Sequence, residues 1–109
     1  MPNPDKASHP AYEAFAADVQ ARHPSVVPGA LFGMPSLTLG GKAFAGAYAG
    51  GVVFKLPPSE REQAATLPDS TTFDPSGRGR PMKEWVVVAV GQQAHWDGLA
   101  DAAVRYVGG

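Results

Sequence analysis

The sequence contains no cysteine, and this absence excludes disulfide scaffolds, thiolate metal sites and cysteine nucleophiles. It also lacks an excess of charge of either sign, because nine lysines and arginines stand against ten aspartates and glutamates, for a net charge of −1. A broadly basic surface for nucleic acid is therefore not expected. Long apolar runs are missing too: the longest, Val86 to Val90, falls far short of the roughly 18 residues that a membrane helix needs.

The N-terminal residues predict no export signal. Residues 1–10 are polar and rich in proline, and they hold no apolar stretch of the length found in secretory signals. We therefore expect a cytoplasmic location. The chain of 109 residues is 44% hydrophobic and 17% charged, a composition typical of a globular protein. We expect residues 1–9 to form a flexible lead and residues 10–109 to form a single domain.

Apolar periodicity predicts three helices and four or five short strands. The helices are expected at Ala11–Arg22, Glu60–Leu67 and Trp96–Val107. Ser59 and Glu62 match the S-x-x-E capping box at the start of the second helix. The strands are expected at 36–39, 42–48, 52–56 and 84–90, with a short candidate at 30–34 and a possible brief strand near Phe73. Gly40 and Gly41 predict a tight hairpin turn.

These elements predict a two-layer α+β fold in α-β3-α-β2-α order, with a small antiparallel sheet and all helices on one face. Both faces of the sheet are apolar in the alternation pattern. Val86 alternates with Val87, and the residues Ala43, Ala45, Ala47 and Val53 are expected on a face opposite Phe44 and Phe54. An uncovered apolar face of this kind predicts a homodimer. The alternative is that loops of the same chain shield the last strand.

The chemistry-bearing residues show no pattern typical of an enzyme, a metal site or a cofactor site. His9, His23 and His95 have no ligand partner at metal-binding spacing. No serine lies in a G-x-S-x-G elbow. The Gly41–Lys42 pair is followed by Ala43, where a phosphate-binding loop needs serine or threonine. We expect no catalytic residue, metal or cofactor.

A basic loop is the candidate binding site. Arg78, Arg80 and Lys83 place three positive charges within six residues of a loop that leads into Trp85. Such a loop is able to bind a phosphate, a carboxylate or an acidic partner. The alternative is a solvated loop whose charges are balanced by Asp74 and Glu84.

Five short motifs, in order, connect the sequence to a known family. They are Phe32-Gly33-Met34, Gly41-Lys42-Ala43-Phe44-Ala45, Phe54-Lys55-Leu56, Phe73, and Arg80-Pro81-Met82-Lys83-Glu84-Trp85-Val86. The pattern, from about Leu31 to Val107, resembles the TfoX N-terminal domain family. It is also similar to the related MmcQ/YjbR-like proteins, notably at residues 54–58. The resemblance implies the same two-layer fold and a non-enzymatic module associated with regulators of competence and transcription.

Two functions follow as hypotheses. The first is a cytoplasmic interaction or regulatory module that binds a protein partner through the apolar sheet face or the basic loop, with nucleic acid disfavoured by the net charge. The alternative is a small anionic-ligand-binding protein, or an uncharacterised enzyme, that uses a cleft near Trp85.

Overall fold

The computed structural model describes residues 10–31, 34–48, 51–73 and 83–108. Its helices are α1 (Pro10–Arg22), α2 (Pro58–Ala65) and α3 (Trp96–Gly108), and a 3-10 turn at Val90–His95 leads directly into α3. Its strands are β1 (Val27–Leu31), β2 (Met34–Leu39), β3 (Lys42–Tyr48), β4 (Gly51–Lys55), β5 (Thr71–Thr72) and β6 (Trp85–Val88). They form one antiparallel sheet in the order β1-β2-β3-β4-β6-β5. The predicted α+β class is confirmed.

The order of elements differs from the prediction by one strand. Four strands precede α2 in the described residues, whereas the alternation pattern predicts three. The first strand is Val27–Leu31, and Pro35 lies inside the second strand instead of separating the two. Pro35 pairs with Ala30, and a proline is accommodated in a sheet where the partner strand needs no N–H from it.

The same pairing shows how the outer edge of β1 is protected. Because Pro35 has no N–H, Ala30 and Pro35 form a non-hydrogen-bonded pair, and the alternation of an antiparallel ladder makes Pro28 and Leu37 a second such pair. The backbone groups of Pro28 and Ala30 therefore face away from β2. Proline has no N–H, so of these two residues only Ala30 has an N–H group on the outer edge of β1. A proline at such a position blunts an edge strand against pairing with another chain.

A β-bulge decides which side chains of β3 face the helices. The register between β2 and β3 shifts between Leu37 and Thr38, which leaves Phe44 without a partner in register. Phe44 and Ala45 both belong to the core between the sheet and the helices, which we call the helix-side core. Ala45 pairs with Phe54 and Ala47 pairs with Val52, and all four are in the helix-side core. The expectation that Ala45 and Ala47 lie opposite Phe44 and Phe54 is therefore wrong, because the alternation pattern assumed an unbroken ladder.

All three helices contribute to the core on one face of the sheet, as predicted. Phe15 of α1 belongs to this core, and its ring is edge-on to Phe54 at 5.7 Å and to Trp96 at 5.6 Å between ring centroids. The indole N–H of Trp96 donates to the carbonyl of Val88 at 3.3 Å. These contacts fix α1 and α3 against β4 and β6.

The opposite face of the sheet carries a second, smaller core. It consists of Met34, Val53, Phe73, Trp85 and Val87, with Ala43 and Tyr48 packed against it. Phe73, just after β5, contacts both neighbouring rings, at 5.1 Å from Tyr48 and 5.7 Å from Trp85. The face is apolar, as predicted, but Trp85 is only 6% exposed and Val87 only 5% exposed within the single chain. These side chains are therefore unavailable to a second chain, and the homodimer stays a prediction without this surface.

The start of α2 does not use the predicted capping box. Pro57 is the N-cap residue, no side chain caps the helix, and Pro58 occupies its first turn. Ser59 therefore lies inside the helix instead of before it. Proline suits the first helical position because its fixed φ angle is already helical and its missing N–H has no partner there in any case. Two consecutive prolines thus start α2 two residues earlier than predicted.

Candidate functional site

The structure describes two of the four predicted binding residues, Lys83 and Trp85. Arg78 and Arg80 lie outside the described residues. Lys83 is exposed, and its backbone carbonyl accepts a hydrogen bond from the guanidinium of Arg61 at 2.9 Å. Trp85 is buried in the second core between Phe73 and the sheet. Its indole therefore packs inside the chain, and a role of Trp85 in binding stays a prediction.

Glu84, between Lys83 and Trp85, connects the start of β6 to β4 and to α3. The Glu84 carboxylate accepts a hydrogen bond from the Tyr106 hydroxyl at 2.5 Å and lies 3.7 Å from the Lys55 ammonium. The Tyr106 hydrogen bond lowers the pKa of Glu84, the nearby Lys55 and Arg61 charges lower it further, and partial burial opposes them. The same hydrogen bond raises the pKa of Tyr106. This cluster fixes β6 to β4 and α3, so we interpret it as structural.

A groove lies between α2 and α3, next to the 3-10 turn that precedes α3. It encloses about 560 Å³. Its floor is apolar and consists of Ala64, Leu67, Leu99 and Ala102. Its rim carries polar side chains and small residues: Glu60, Gln63, Thr66, Ala94, His95, Gly98 and Arg105. An apolar floor with a few polar groups is the usual composition of a small-molecule binding site.

The ionisable side chains of the groove are not paired with one another. None of the ion pairs among the described residues includes Glu60, His95 or Arg105. Glu60 is in the first turn of α2 and Arg105 is in the last turn of α3, and each position suits the helix dipole. Glu60 and Arg105 have no ion-pair partner among the described residues, so both groups are available at the groove.

Gly98 is the unusual residue of the groove wall. It lies within α3, and a Cβ atom placed on it would meet nothing within 4 Å. Its φ angle is not in the left-handed region, unlike those of Gly40 and Gly41 in the β2–β3 turn. Neither backbone conformation nor crowding therefore requires glycine at position 98. Glycine in a helix costs about 0.5–1 kcal/mol relative to alanine, so this position gives up stability and leaves the wall of the groove open.

A second charged cluster joins the end of α1 to α3. The Arg22 guanidinium contacts Asp18 at 3.0 Å, Asp97 at 3.5 Å and also Asp101, and His23 Nε2 lies 2.9 Å from Asp101 Oδ1. Burial raises the pKa of Asp101, but hydrogen bonds from His23 and Arg22 and their charges outweigh it and lower the pKa overall. The hydrogen bond to Asp101 raises the pKa of Arg22. Asp97 and Asp101 of α3 are used by ion pairs with Arg22 at the end of α1, and Asp18 pairs with Arg22 within α1. We interpret this cluster as structural.

No group of three or more histidine, aspartate and glutamate side chains in the described ranges is placed to hold a metal ion. No helix in those ranges is long and apolar enough to cross a membrane. Comparison of the chain with family models, curated proteins and solved structures gives no match. The α2–α3 groove is therefore identified from its geometry alone.

Sequence reasoning missed this groove. Its two walls are at least 27 residues apart in the chain, and neither wall carries a ligand-binding motif. One signal was present: Gly98 interrupts the most regular amphipathic helix of the sequence without ending it. A glycine inside a strong helical pattern often has a packing or functional reason.

Proposed function

We propose that this chain is a non-enzymatic binding module whose ligand occupies the groove between α2 and α3. The observation that carries the proposal is Gly98, a helix-weakening residue kept at a groove wall where a side chain would fit. In this proposal the module acts in the cytoplasm in a regulatory role, of the kind that the resemblance to the TfoX N-terminal domain implies.

The size and lining of the groove support ligand binding. Its volume of about 560 Å³ lies within the range of roughly 300–1,000 Å³ found for small-molecule sites. Leu67 and Leu99 are half-buried and offer apolar contact to a ligand, while Gln63 and Thr66 offer polar groups at the rim. A ligand that covered the floor would gain about 25 cal/mol for each Å² of apolar surface removed from water.

The same residues favour binding over catalysis. His95 is exposed and forms no hydrogen bond or ion pair with a carboxylate in the described residues. A general base normally needs a partner that orients its ring and tunes its pKa. His23 does contact a carboxylate, that of Asp101. His23 lies in the charged cluster that joins the end of α1 to α3, and it does not line the groove.

The test is a fragment screen of the ¹⁵N-labelled protein by two-dimensional NMR, with acidic, neutral and basic fragments. We expect a subset to shift the amide signals of Gln63, Leu67, Gly98 and Leu99. Gly98→Phe should abolish these shifts, because its ring projects into the groove. Gly91→Phe is the matched control, since a Cβ at Gly91 also meets nothing within 4 Å and Gly91 lies outside the groove.

Circular dichroism and thermal melting of both variants verify that each is folded. The proposal is refuted if no fragment of any charge shifts the groove amides, or if Gly98→Phe binds the same fragments as the wild-type chain while remaining folded.

A further inference from the structure

We infer that the ligand of the α2–α3 groove is an elongated amphipathic carboxylate, whose apolar chain lies over Gly98 and Ala102 and whose carboxylate binds Arg105. This inference rests on the proposed function and adds the chemical class of the ligand. It also assigns a role to Arg105, which no motif in the sequence indicated.

The spacing of three residues on α3 sets the shape of the ligand. Gly98, Ala102 and Arg105 are separated by four and three positions, so they lie along one face of the helix. All three line the groove. Seven residues of α-helix rise about 10 Å. The groove therefore offers a track of small residues, about two helical turns long, that ends at a guanidinium group.

Small side chains on this track allow close contact. Gly98 has no side chain, and Ala102, at 4% exposed, is a buried residue at the floor of the groove. An extended aliphatic chain could approach the α3 backbone here, with Leu67 and Leu99 at its sides. A side chain at position 98 would occupy that space. This accounts for a glycine that otherwise only lowers helix stability.

The charges of the groove favour an anion at the Arg105 end. Arg105 is exposed and makes no ion pair with a described residue. Its planar fork of N–H donors matches a carboxylate in two parallel hydrogen bonds. Glu60, on the opposite wall, is the acidic residue of the lining, and it repels an anion from the α2 side. A carboxylate is therefore expected on the α3 wall.

The probes are octanoate, its neutral amide octanamide and its cationic counterpart octylamine, each titrated into the ¹⁵N-labelled full chain. We expect octanoate to shift the amides of Gly98, Leu99 and Ala102 and to bind about tenfold more tightly than octanamide, the gain of one charge-assisted contact. Butyrate, which is too short to cover the track, should bind more weakly than octanoate.

Arg105→Gln should reduce octanoate binding to the level of octanamide and leave octanamide binding unchanged. Lys83→Gln is the matched control, because it removes the same charge from an exposed position outside the groove. The tripeptide acetyl-Leu-Ala-Leu with a free C-terminal carboxylate separates two sources of the group. Tighter binding of octanoate assigns a free acid, and tighter binding of the tripeptide assigns a polypeptide C-terminus.

The outcomes separate this inference from the proposed function. If octanamide or octylamine binds at the groove as tightly as octanoate, or if Arg105→Gln binds octanoate like the wild-type chain, the carboxylate assignment is overturned and the groove remains a binding site. If no probe and no fragment of any charge shifts the groove amides, the proposed function itself fails.

Discussion

Replacing Gly98 with alanine should make the protein more stable and make the groove a poorer binding site. Position 98 has helical surroundings on both sides, because α3 begins at Trp96 and continues to Gly108. The added methyl would meet no atom within 4 Å. The methyl therefore gains no packing contacts and causes no clash. The change in the free energy of unfolding then comes from the difference in helix propensity between alanine and glycine.

That difference sets the size of the effect. Alanine is favoured over glycine inside a helix by about 0.5–1 kcal/mol, mainly because glycine loses more backbone entropy on folding. For a domain of this size, a gain of that order raises the midpoint of thermal unfolding by about 2–6 °C. Binding should change in the opposite direction, because the methyl takes up space on the track between Gly98 and Ala102.

Urea unfolding and thermal melting measure the first effect, and NMR titration with octanoate measures the second. Gly51→Ala is the control for a glycine that the fold requires. A Cβ at Gly51 would lie 2.4 Å from the Val88 carbonyl oxygen, so this variant should lose about 1–3 kcal/mol. If Gly98→Ala leaves stability unchanged or lowers it while Gly51→Ala behaves as expected, the backbone needs glycine at position 98. Gly98 would then no longer indicate a ligand in the groove.

Three further predictions concern the core, the charged cluster and the sheet edge. Trp85→Ala should lower the free energy of unfolding by about 3–5 kcal/mol in urea, and a loss below about 1 kcal/mol would mean an accessible indole. Asp101→Asn should cost most at neutral pH, about 1 kcal/mol or less for this 37% exposed side chain. Because the folded-state pKa of Asp101 is lowered, its stabilisation is present above the unfolded pKa of about 3.9 and is lost as pH falls through the folded value. A difference between wild type and variant that grows toward acid pH in urea titrations would contradict this sign. Pro28→Thr restores an outward N–H on β1 and should increase self-association in sedimentation experiments; a mass equal to that of the wild-type chain at every concentration would argue against the blunted edge.

Local patterns in the sequence were sufficient to predict most helices, strands and turns of the fold. The apolar period from Trp96 to Val107 predicts α3, and the structure has a helix from Trp96 to Gly108. The Gly40–Gly41 turn is confirmed by the positive φ angles of both residues. These features depend on neighbouring residues only, and a helix face or a tight turn is specified by spacing and by backbone freedom.

Features that depend on pairing across the sheet were not predictable in the same way. The strand candidate at 30–34 is divided between β1 and β2, and Pro35 lies within β2, where it pairs with Ala30. The face of Ala45 is decided by the bulge at Phe44. Trp85 has the sequence context of a binding residue, but Phe73, 12 positions earlier in the chain, packs against its ring. Each of these features depends on a contact between residues from different elements, and the apolar pattern within one element does not contain that contact.

The sequence by itself determined the α+β class, the positions of the helices and the absence of thiol chemistry, because these follow from composition and local spacing. The tertiary structure alone decided that Trp85 is core and that α2 and α3 enclose a groove with Gly98 and Arg105 on one wall. A groove is formed by the distance between two helices, and that distance is set by how both pack on the sheet, which neither helix encodes alone.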